Sequence, residues 1–245
     1  MTSLAQHRAG GVAVLLAFSG SFLWFFALMG LSVRDAESAQ IASFLPIFPL
    51  TFASSTFVPL DLPETQAAIR KHSPSGKVPV LIHRGLAVWD SLAIAEYLND
   101  LKPEAGIWPP SAAARAHARS ISAEMHSGFA ELRTQMPMNI RSSYPGKGMT
   151  PTVRADIERI TGLWRDCRKR FGGAFTKDDG VLFGTFGAAD AMFAPVVTWL
   201  KTYGVKLDSD TEAYCNAVLA QPAMKEWIDA AKNEPWLIAS YELDK

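Results

Sequence analysis

The sequence has very little cysteine, since only Cys167 and Cys215 occur in its 245 residues. Two thiols so far apart match neither a metal-ligand spacing nor a disulfide framework, so we expect no metal site here. Cys167 falls on the apolar side of a helical pattern, which predicts a buried free thiol rather than a redox centre. This sparing use of cysteine favours an intracellular chain.

Net charge is also lacking, because 24 Lys and Arg residues balance 24 Asp and Glu residues. A neutral chain has no overall field that would attract the phosphates of a nucleic acid or an anionic membrane surface. We therefore expect no nucleic-acid partner. The length is sufficient for one large domain or two small ones with well-filled cores.

Charged residues are missing from the whole of residues 9–33, an apolar stretch that is long enough to cross a bilayer. A second uncharged stretch, residues 41–60, is interrupted by prolines. We treat residues 1–56 as one anomalous apolar segment with three open interpretations. It is a membrane anchor, an irregular apolar form of a first β-α-β unit, or the product of an upstream frameshift or wrong start.

A β-hairpin followed by a helix is predicted in the middle of the first half of the chain. Val80–Ile82 is a short β-branched run, residues 84–85 (Arg-Gly) form a turn, and Leu86–Trp89 is a second run. Asp90 and Ser91 then open a segment with apolar residues at helical spacing. The start of a helix has unpaired N–H groups and the positive end of the helix dipole, so the pattern predicts an anion site.

Pro79 stands where the first strand begins. A proline there removes a ladder donor and, if its peptide bond is cis, turns the backbone of Val78 outward. An extended peptide could then pair with the N–H and C=O of Val78 as an added strand. Together with the anion site, this pattern predicts a small anionic peptide as the ligand.

Two segments of this region resemble the glutathione-binding half of the thioredoxin-like domain of glutathione transferases: Lys77–Leu81 (KVPVL) and Trp89–Ile94 (WDSLAI). The subgroup most resembled is bacterial, serine-type and zeta-like. The family usually has Glu or Asp before the serine of the second segment, and Asp90 fits that pattern. The resemblance implies that glutathione binds as a co-substrate at five residues. These are Lys77, Val78, Pro79, Asp90 and Ser91.

The resemblance also implies a division of labour in the site. Ser91 and its N–H hold the γ-glutamyl carboxylate of glutathione, while Asp90 contributes on the side of the ammonium group. The backbone of Val78 pairs with the peptide. The same resemblance implies the fold, an α/β thioredoxin-like domain followed by an all-α domain. In this chain the first β-α-β unit of the thioredoxin-like domain would be disrupted.

A proline-rich break at residues 103–110 marks the domain boundary. Residues 57–102 are assigned to the glutathione-binding part and residues 111–245 to the all-α domain. Phe186–Pro195 resembles the N-capping box of the family's helical domain, which makes Asp190 a folding residue. The predicted helices run from Ser111 to about Arg133, from Thr150 to Gly172, from Gly187 to Tyr203, from a capping box of Ser209 and Glu212, and from Pro222.

The first of these helices faces the cleft in the implied fold, so some of its residues are candidates for an apolar co-substrate pocket. The alternative is that a stripe of Met and aromatic residues is core packing. A lone histidine, likewise, is more often at the surface or hydrogen-bonded than a base. The candidates are Met125, His126, Phe129 and Met138.

The implied chemistry is attack of the glutathione thiolate on a small electrophile, or cis-trans isomerisation as in the related maleylacetoacetate isomerases. The alternative outside enzymes is a non-catalytic glutathione-transferase-like binding or scaffold protein. In the subgroup that this chain resembles, the first loop usually carries a Ser-Ser-Trp-Ser type of sequence, and that loop supplies the hydroxyl that activates the thiol. No such sequence is found in this chain. The thiol-activating residue is therefore unassigned, with Ser19 and Ser21 as candidates. The resemblance implies a cytoplasmic homodimer; the alternative is a protein tethered to a membrane by residues 9–33.

Overall fold

The computed structural model describes residues 63–172, 180–235 and 237–243, all of which belong to one compact unit. The anomalous segment at residues 1–56, with its three interpretations, lies outside the described residues. The elements are α1 (Pro63–Arg70), β1 (Val80–His83), β2 (Leu86–Trp89), α2 (Ser91–Leu101), a 3₁₀ turn (Pro103–Ala105), α3 (Ala112–Ser127), α4 (Ala130–Gln135), α5 (Pro151–Phe171), α6 (Ala188–Thr202), α7 (Ser209–Ala220), α8 (Pro222–Asn233) and a second 3₁₀ turn (Ala239–Tyr241).

The predicted hairpin is confirmed. β1 and β2 are antiparallel, with Val80 opposite Trp89. The turn residues Arg84 and Gly85 have φ angles of 49° and 81°. Positive φ at both positions belongs to the two-residue turn whose twist matches that of the strands, and glycine adopts it without steric cost.

The helix predicted after the hairpin is α2, which packs on both strands. Its buried side chains Ile94, Ala95 and Leu98 share one face because residues three and four apart are neighbours on a helix. Pro103 follows two residues after the end of α2. A proline disfavours helical backbone in the residue before it, so the helix stops there.

The prediction of one helix from Ser111 to about Arg133 is wrong, because the chain breaks into α3 and α4. At Gly128 an added Cβ would lie 2.6 Å from the carbonyl oxygen of Glu124. Phe129, the next residue, has a left-handed φ of 59°, which ends the helical ladder. The predicted apolar stripe nevertheless stays inside on both helices. Its buried members are Ile121, Met125, Phe129 and Leu132.

α5 and α6 form the centre of the helical core. Thr150 caps α5 as predicted, with its hydroxyl accepting the N–H of Val153 at 3.2 Å. Trp164 of α5 meets Phe193 of α6 edge-on, with 5.7 Å between the ring centroids. Most side chains of α6 are buried, in agreement with its apolar sequence on nearly every side.

Asp190 caps the start of α6, as its resemblance to a capping box implied. Its carboxylate accepts the N–H groups of Gly187 and Leu182, each at 3.0 Å. The side chain is fully buried, and this burial raises the pKa of Asp190 to about 6 despite the opposing effect of the two backbone donors. Because its partners are backbone groups, we interpret Asp190 as a folding residue.

The capping box predicted from Ser209 and Glu212 is wrong. The N-cap of α7 is Asp208, whose carboxylate accepts the N–H of Thr211 at 2.9 Å. The same carboxylate pairs with Arg165 of α5 at 2.6 Å. Asp208, one residue upstream of the predicted cap, therefore accepts the otherwise unpaired N–H of Thr211 and also joins α7 to α5 through Arg165. A serine at the cap would not form this ion pair.

The two cysteines are free and buried, which confirms the prediction for Cys167. Burial raises the pKa of both Cys167 and Cys215 to about 12. Neither thiol is therefore a nucleophile at neutral pH.

The membrane-anchor interpretation depends on residues 9–33, which lie outside the described residues. In the described part of the chain, no helix combines the length and the apolar character needed to span a membrane.

Candidate functional site

The loop before β1 presents the backbone of Val78. The Val78–Pro79 peptide bond is cis, the form for which the sequence predicts an outward-facing Val78 backbone. Within the described residues, no hydrogen bond involves the N–H or the C=O of Val78. Both groups are therefore available to an extended peptide as far as the described chain is concerned.

Hydrogen bonds inside the loop fix the residue before Val78. The hydroxyl of Ser73, which is buried, donates to the carbonyl oxygen of Lys77 at 2.5 Å. The hydroxyl of Ser75 accepts the N–H of Lys77 at 3.3 Å. Gly76, at a φ of 66°, supplies the left-handed turn between them.

A cleft of about 920 Å³ lies beside this loop. It is lined by the second half of α1, by the loop from Ser73 to Val78, and by Tyr241 from the C-terminal 3₁₀ turn. Arg70 and Lys77 bring two cationic side chains to its wall. The cleft thus combines free backbone groups with positive charge, a suitable surface for an anionic peptide.

Asp90 joins β2 to α2 in a backbone conformation that is unusual for an aspartate. Its φ is 74° and its ψ is 135°, a region that residues with a side chain rarely adopt. Such a conformation costs about 1–3 kcal/mol and persists where the surroundings hold it, often at ligand sites. One hydrogen bond that holds it is internal: Oδ1 of Asp90 accepts the N–H of Leu92 at 2.9 Å.

Ser91 is the first residue of α2 and only 3% exposed. Its hydroxyl has no hydrogen-bond partner in the described part of the chain, and the same is true of the N–H groups of Ser91 and Ala93. This hydroxyl and the two free amides lie at the positive end of an 11-residue helix, an arrangement that suits a carboxylate.

His126, in the last turn of α3, meets Asp90 across the gap between the two helices. Its Nε2 lies 2.9 Å from Oδ2 of Asp90, and both side chains are about two-fifths exposed. A second link, from Arg119 of α3 to both carboxylate oxygens of Glu96 on α2, joins the same two helices. Sequence reasoning missed the contact between His126 and Asp90, since nothing in the spacing of the two residues signals it.

The other candidates for the co-substrate pocket are buried or half-buried. Met125 is 2% exposed and Phe129 is 9% exposed, so both lie in the packed interior. Met138 is half-buried in the segment after α4. The candidates Ser19 and Ser21 for thiol activation lie outside the described residues.

Comparison with known proteins identifies the region around this site. Residues 50–101 match the model of the glutathione S-transferase N-terminal domain. The chain is 36% identical over 135 residues to a probable maleylacetoacetate isomerase of Caenorhabditis elegans, which covers 55% of this chain and 60% of that protein. It is 42% identical over 48 residues to a dichloromethane dehalogenase of Methylorubrum extorquens, which covers 20% of this chain and 17% of that protein. The chain thus spans less than two thirds of either relative.

The fold is that of the glutathione transferases. A glutathione transferase homologue from Burkholderia, solved with bound glutathione, has a TM-score of 0.53 at 19% identity, covering 77% of this chain and 91% of that one. Ure2p, solved in complex with glutathione, has a TM-score of 0.52 at 16% identity, covering 77% of this chain and 89% of that one. These likenesses confirm the predicted fold, a thioredoxin-like domain followed by an all-helical one. Residues 50–101 are thus similar to the glutathione S-transferase N-terminal domain, and the fold of the described chain is that of the glutathione transferases.

Proposed function

We propose that the protein binds glutathione and transfers its thiolate to a small electrophile. The observation that carries this proposal is the start of α2, where the Ser91 hydroxyl and two backbone amides lack partners in the described chain. Val78 supplies a second attachment point, the free backbone pair of a docking strand. A peptide with a carboxylate at one end and an extended backbone satisfies both.

Each group of the site has one task in this proposal. Ser91 and the α2 amides hold the γ-glutamyl carboxylate, and Asp90 accepts a hydrogen bond from the ammonium group. Val78, placed by Pro79, pairs with the cysteinyl backbone. Lys77, on the wall of the cleft, adds positive charge for the second carboxylate.

The reaction is a nucleophilic substitution at carbon. The thiol of glutathione loses its proton, the thiolate sulfur forms a bond to the electrophilic carbon, and the leaving group departs with the electron pair. A hydroxyl donor that stabilises the thiolate would come from the first β-α loop, in which Ser19 and Ser21 are the candidates. A site without this donor would lose about 10²–10³ in rate, by analogy with oxyanion-hole donors.

A second candidate function is glutathione-dependent cis-trans isomerisation, which the relative from Caenorhabditis elegans favours. In that reaction the thiolate adds to a double bond, the resulting single bond rotates, and elimination restores free glutathione. The two functions differ in glutathione consumption, because a transferase consumes one glutathione per turnover and an isomerase consumes none.

The assembly and location belong to the same proposal. We expect a cytoplasmic homodimer, which sedimentation and cell fractionation would test. Ile82 and Trp89 lie on one face of the hairpin and are 51% and 46% exposed, which supports an apolar contact surface there. Recovery of the chain with membranes would instead support tethering through residues 9–33.

Two assays on the full chain test the proposal. Retention on immobilised glutathione, with release by free glutathione, reports binding. Turnover of chlorodinitrobenzene with stoichiometric loss of thiol reports transfer, and turnover of a cis-enedione acid without loss of thiol reports isomerisation. Binding without either turnover would favour the non-catalytic binding protein, and no retention would contradict the proposed function.

A further inference from the structure

The carboxylate of Asp90 is held from two sides. Oδ1 accepts the N–H of Leu92 from its own helix, while Oδ2 contacts Nε2 of His126 at 2.9 Å from another helix. A carboxylate has about four positions for hydrogen-bond donors, so two of them remain. The side chain is 42% exposed, which leaves room for a ligand to reach those positions.

Resting on the proposed function, we propose that His126 is a positioning residue of the glutathione site. It fixes the orientation of the Asp90 carboxylate so that a free lone pair faces the γ-glutamyl ammonium group. This role differs from the apolar co-substrate pocket for which the sequence made His126 a candidate. His126 itself touches Asp90, and its effect on the ligand passes through that contact.

The geometry explains why a second hydrogen-bond donor is needed to orient the Asp90 carboxylate. The hydrogen bond from Leu92 holds Oδ1 alone, so rotation about the Cβ–Cγ bond can still change the direction of Oδ2. A donor from α3, a separate element, restricts that rotation.

The pairing of α2 with α3 does not depend on His126. Arg119 binds Glu96 through two hydrogen bonds, at 2.7 and 2.5 Å, and so links the same helices about two turns away. Loss of His126 therefore leaves the helices joined. Its consequence is local to Asp90, which makes the role of His126 separable from a general structural role.

The test uses the full chain and measures glutathione affinity by calorimetric titration. We expect His126→Ala to weaken glutathione binding about two- to fivefold, the size of one partly exposed hydrogen bond. His126→Gln, whose amide still donates to Asp90, should recover most of the affinity. Glu96→Gln is the matched control, because it weakens the other link between the helices, and it should leave the affinity unchanged.

Two probe ligands locate the effect on glutathione. With an analogue in which hydrogen replaces the α-amino group, His126→Ala and the wild type should bind equally, because no ammonium group remains to be positioned. With S-hexylglutathione, whose alkyl chain enters the electrophile pocket, the loss should equal that for glutathione. Loss confined to S-hexylglutathione would place His126 in the electrophile pocket and overturn the proposal.

The remaining outcomes are also decisive. Unchanged glutathione affinity in His126→Ala, or an equal loss in Glu96→Gln, would overturn the positioning role while leaving the proposed function intact. A wild-type chain that does not bind glutathione would overturn both. In the doubly substituted Asp90→Asn, His126→Ala chain, the loss should equal that of Asp90→Asn alone, because both changes break one interaction.

Discussion

At the scale of single residues, Asp90 shows how a binding site is held in a conformation that the backbone alone disfavours. Its φ of 74° belongs to a region that glycine adopts without steric cost. An aspartate therefore stands at a position where glycine would adopt the backbone at lower cost. Its carboxylate caps α2 and meets His126.

The first prediction separates strain from function at Asp90. Asp90→Ala removes the cap and keeps the strain, whereas Asp90→Gly removes both. We expect the glycine variant to be more stable than the alanine variant by about 1 kcal/mol, measured by urea unfolding. Both variants should bind glutathione more weakly than the wild type. Equal stability of the two variants would show that the backbone at residue 90 is not strained.

His117 provides a second prediction, on stability against pH. It lies on α3 against Phe171 and Phe183, with ring centroids 5.5 and 6.4 Å away. Burial, with a further contribution from Arg170, lowers the pKa of His117 below its usual 6.5. The unfolded chain therefore binds a proton more readily than the folded one, so stability is fully present above pH 6.5 and declines as the pH falls.

The measurement is the free energy of unfolding of wild type and His117→Leu at pH 7.5 and pH 5.5. We expect the wild type to lose more stability between these values than the variant does. His72→Leu, at an exposed turn, is the control and should lose as much as the wild type. Parallel losses in wild type and His117→Leu would contradict the assignment.

At the scale of elements, the sequence predicts those features that depend on neighbours along the chain. The hairpin, α2, the cap at Thr150 and the apolar α6 all follow from local turn, cap and spacing patterns, and the structure confirms them. The break between α3 and α4 was not predicted, because it depends on the backbone conformation of Gly128 and Phe129 and not on the spacing of apolar residues. The apolar stripe through Phe129 continues across the interruption, so nothing in it indicates two helices.

The residues of the candidate site also fall into those that local sequence predicts and those that it does not. Val78 and Ser91 were predicted because their roles come from local backbone, a strand start and a helix start. His126 was placed elsewhere, because its contact with Asp90 arises only when α3 packs beside α2. Contacts between elements of this kind carry no signal in residue spacing.

The start of α7 gives a third prediction at this scale. Asp208→Ala should destabilise the protein by about 1 kcal/mol, since the N–H of Thr211 loses its acceptor. Ser209→Ala should be nearly neutral, because Ser209 is not the cap. The backbone N–H of Thr211, with help from Arg165, lowers the pKa of Asp208, so its contribution is present above the carboxyl's usual range and is lost on acidification. Urea unfolding of both variants decides between the two caps.

At the scale of the whole molecule, the described chain joins a thioredoxin-like part to a helical part through α2 and α3. The links are side chains that reach across, His126 to Asp90 and Arg119 to Glu96. Because α2 begins at Ser91, the helical part holds one wall of the proposed glutathione site in place. The contact of His126 with Asp90 is the link that reaches this proposed site, whereas Arg119 and Glu96 join the two helices away from it.

The most direct measurement is calorimetric titration of glutathione into the full chain and into Ser91→Ala. The hydroxyl of Ser91 makes no hydrogen bond within the described residues, so its removal should leave the unfolding transition nearly unchanged. We expect the variant to lose one hydrogen bond to a charged carboxylate, about 1.5–3 kcal/mol, which is roughly a ten- to hundredfold loss of affinity. Ser120→Ala, at a surface hydroxyl of α3, should bind like the wild type. Equal affinity of wild type and Ser91→Ala would contradict a glutathione carboxylate at the start of α2.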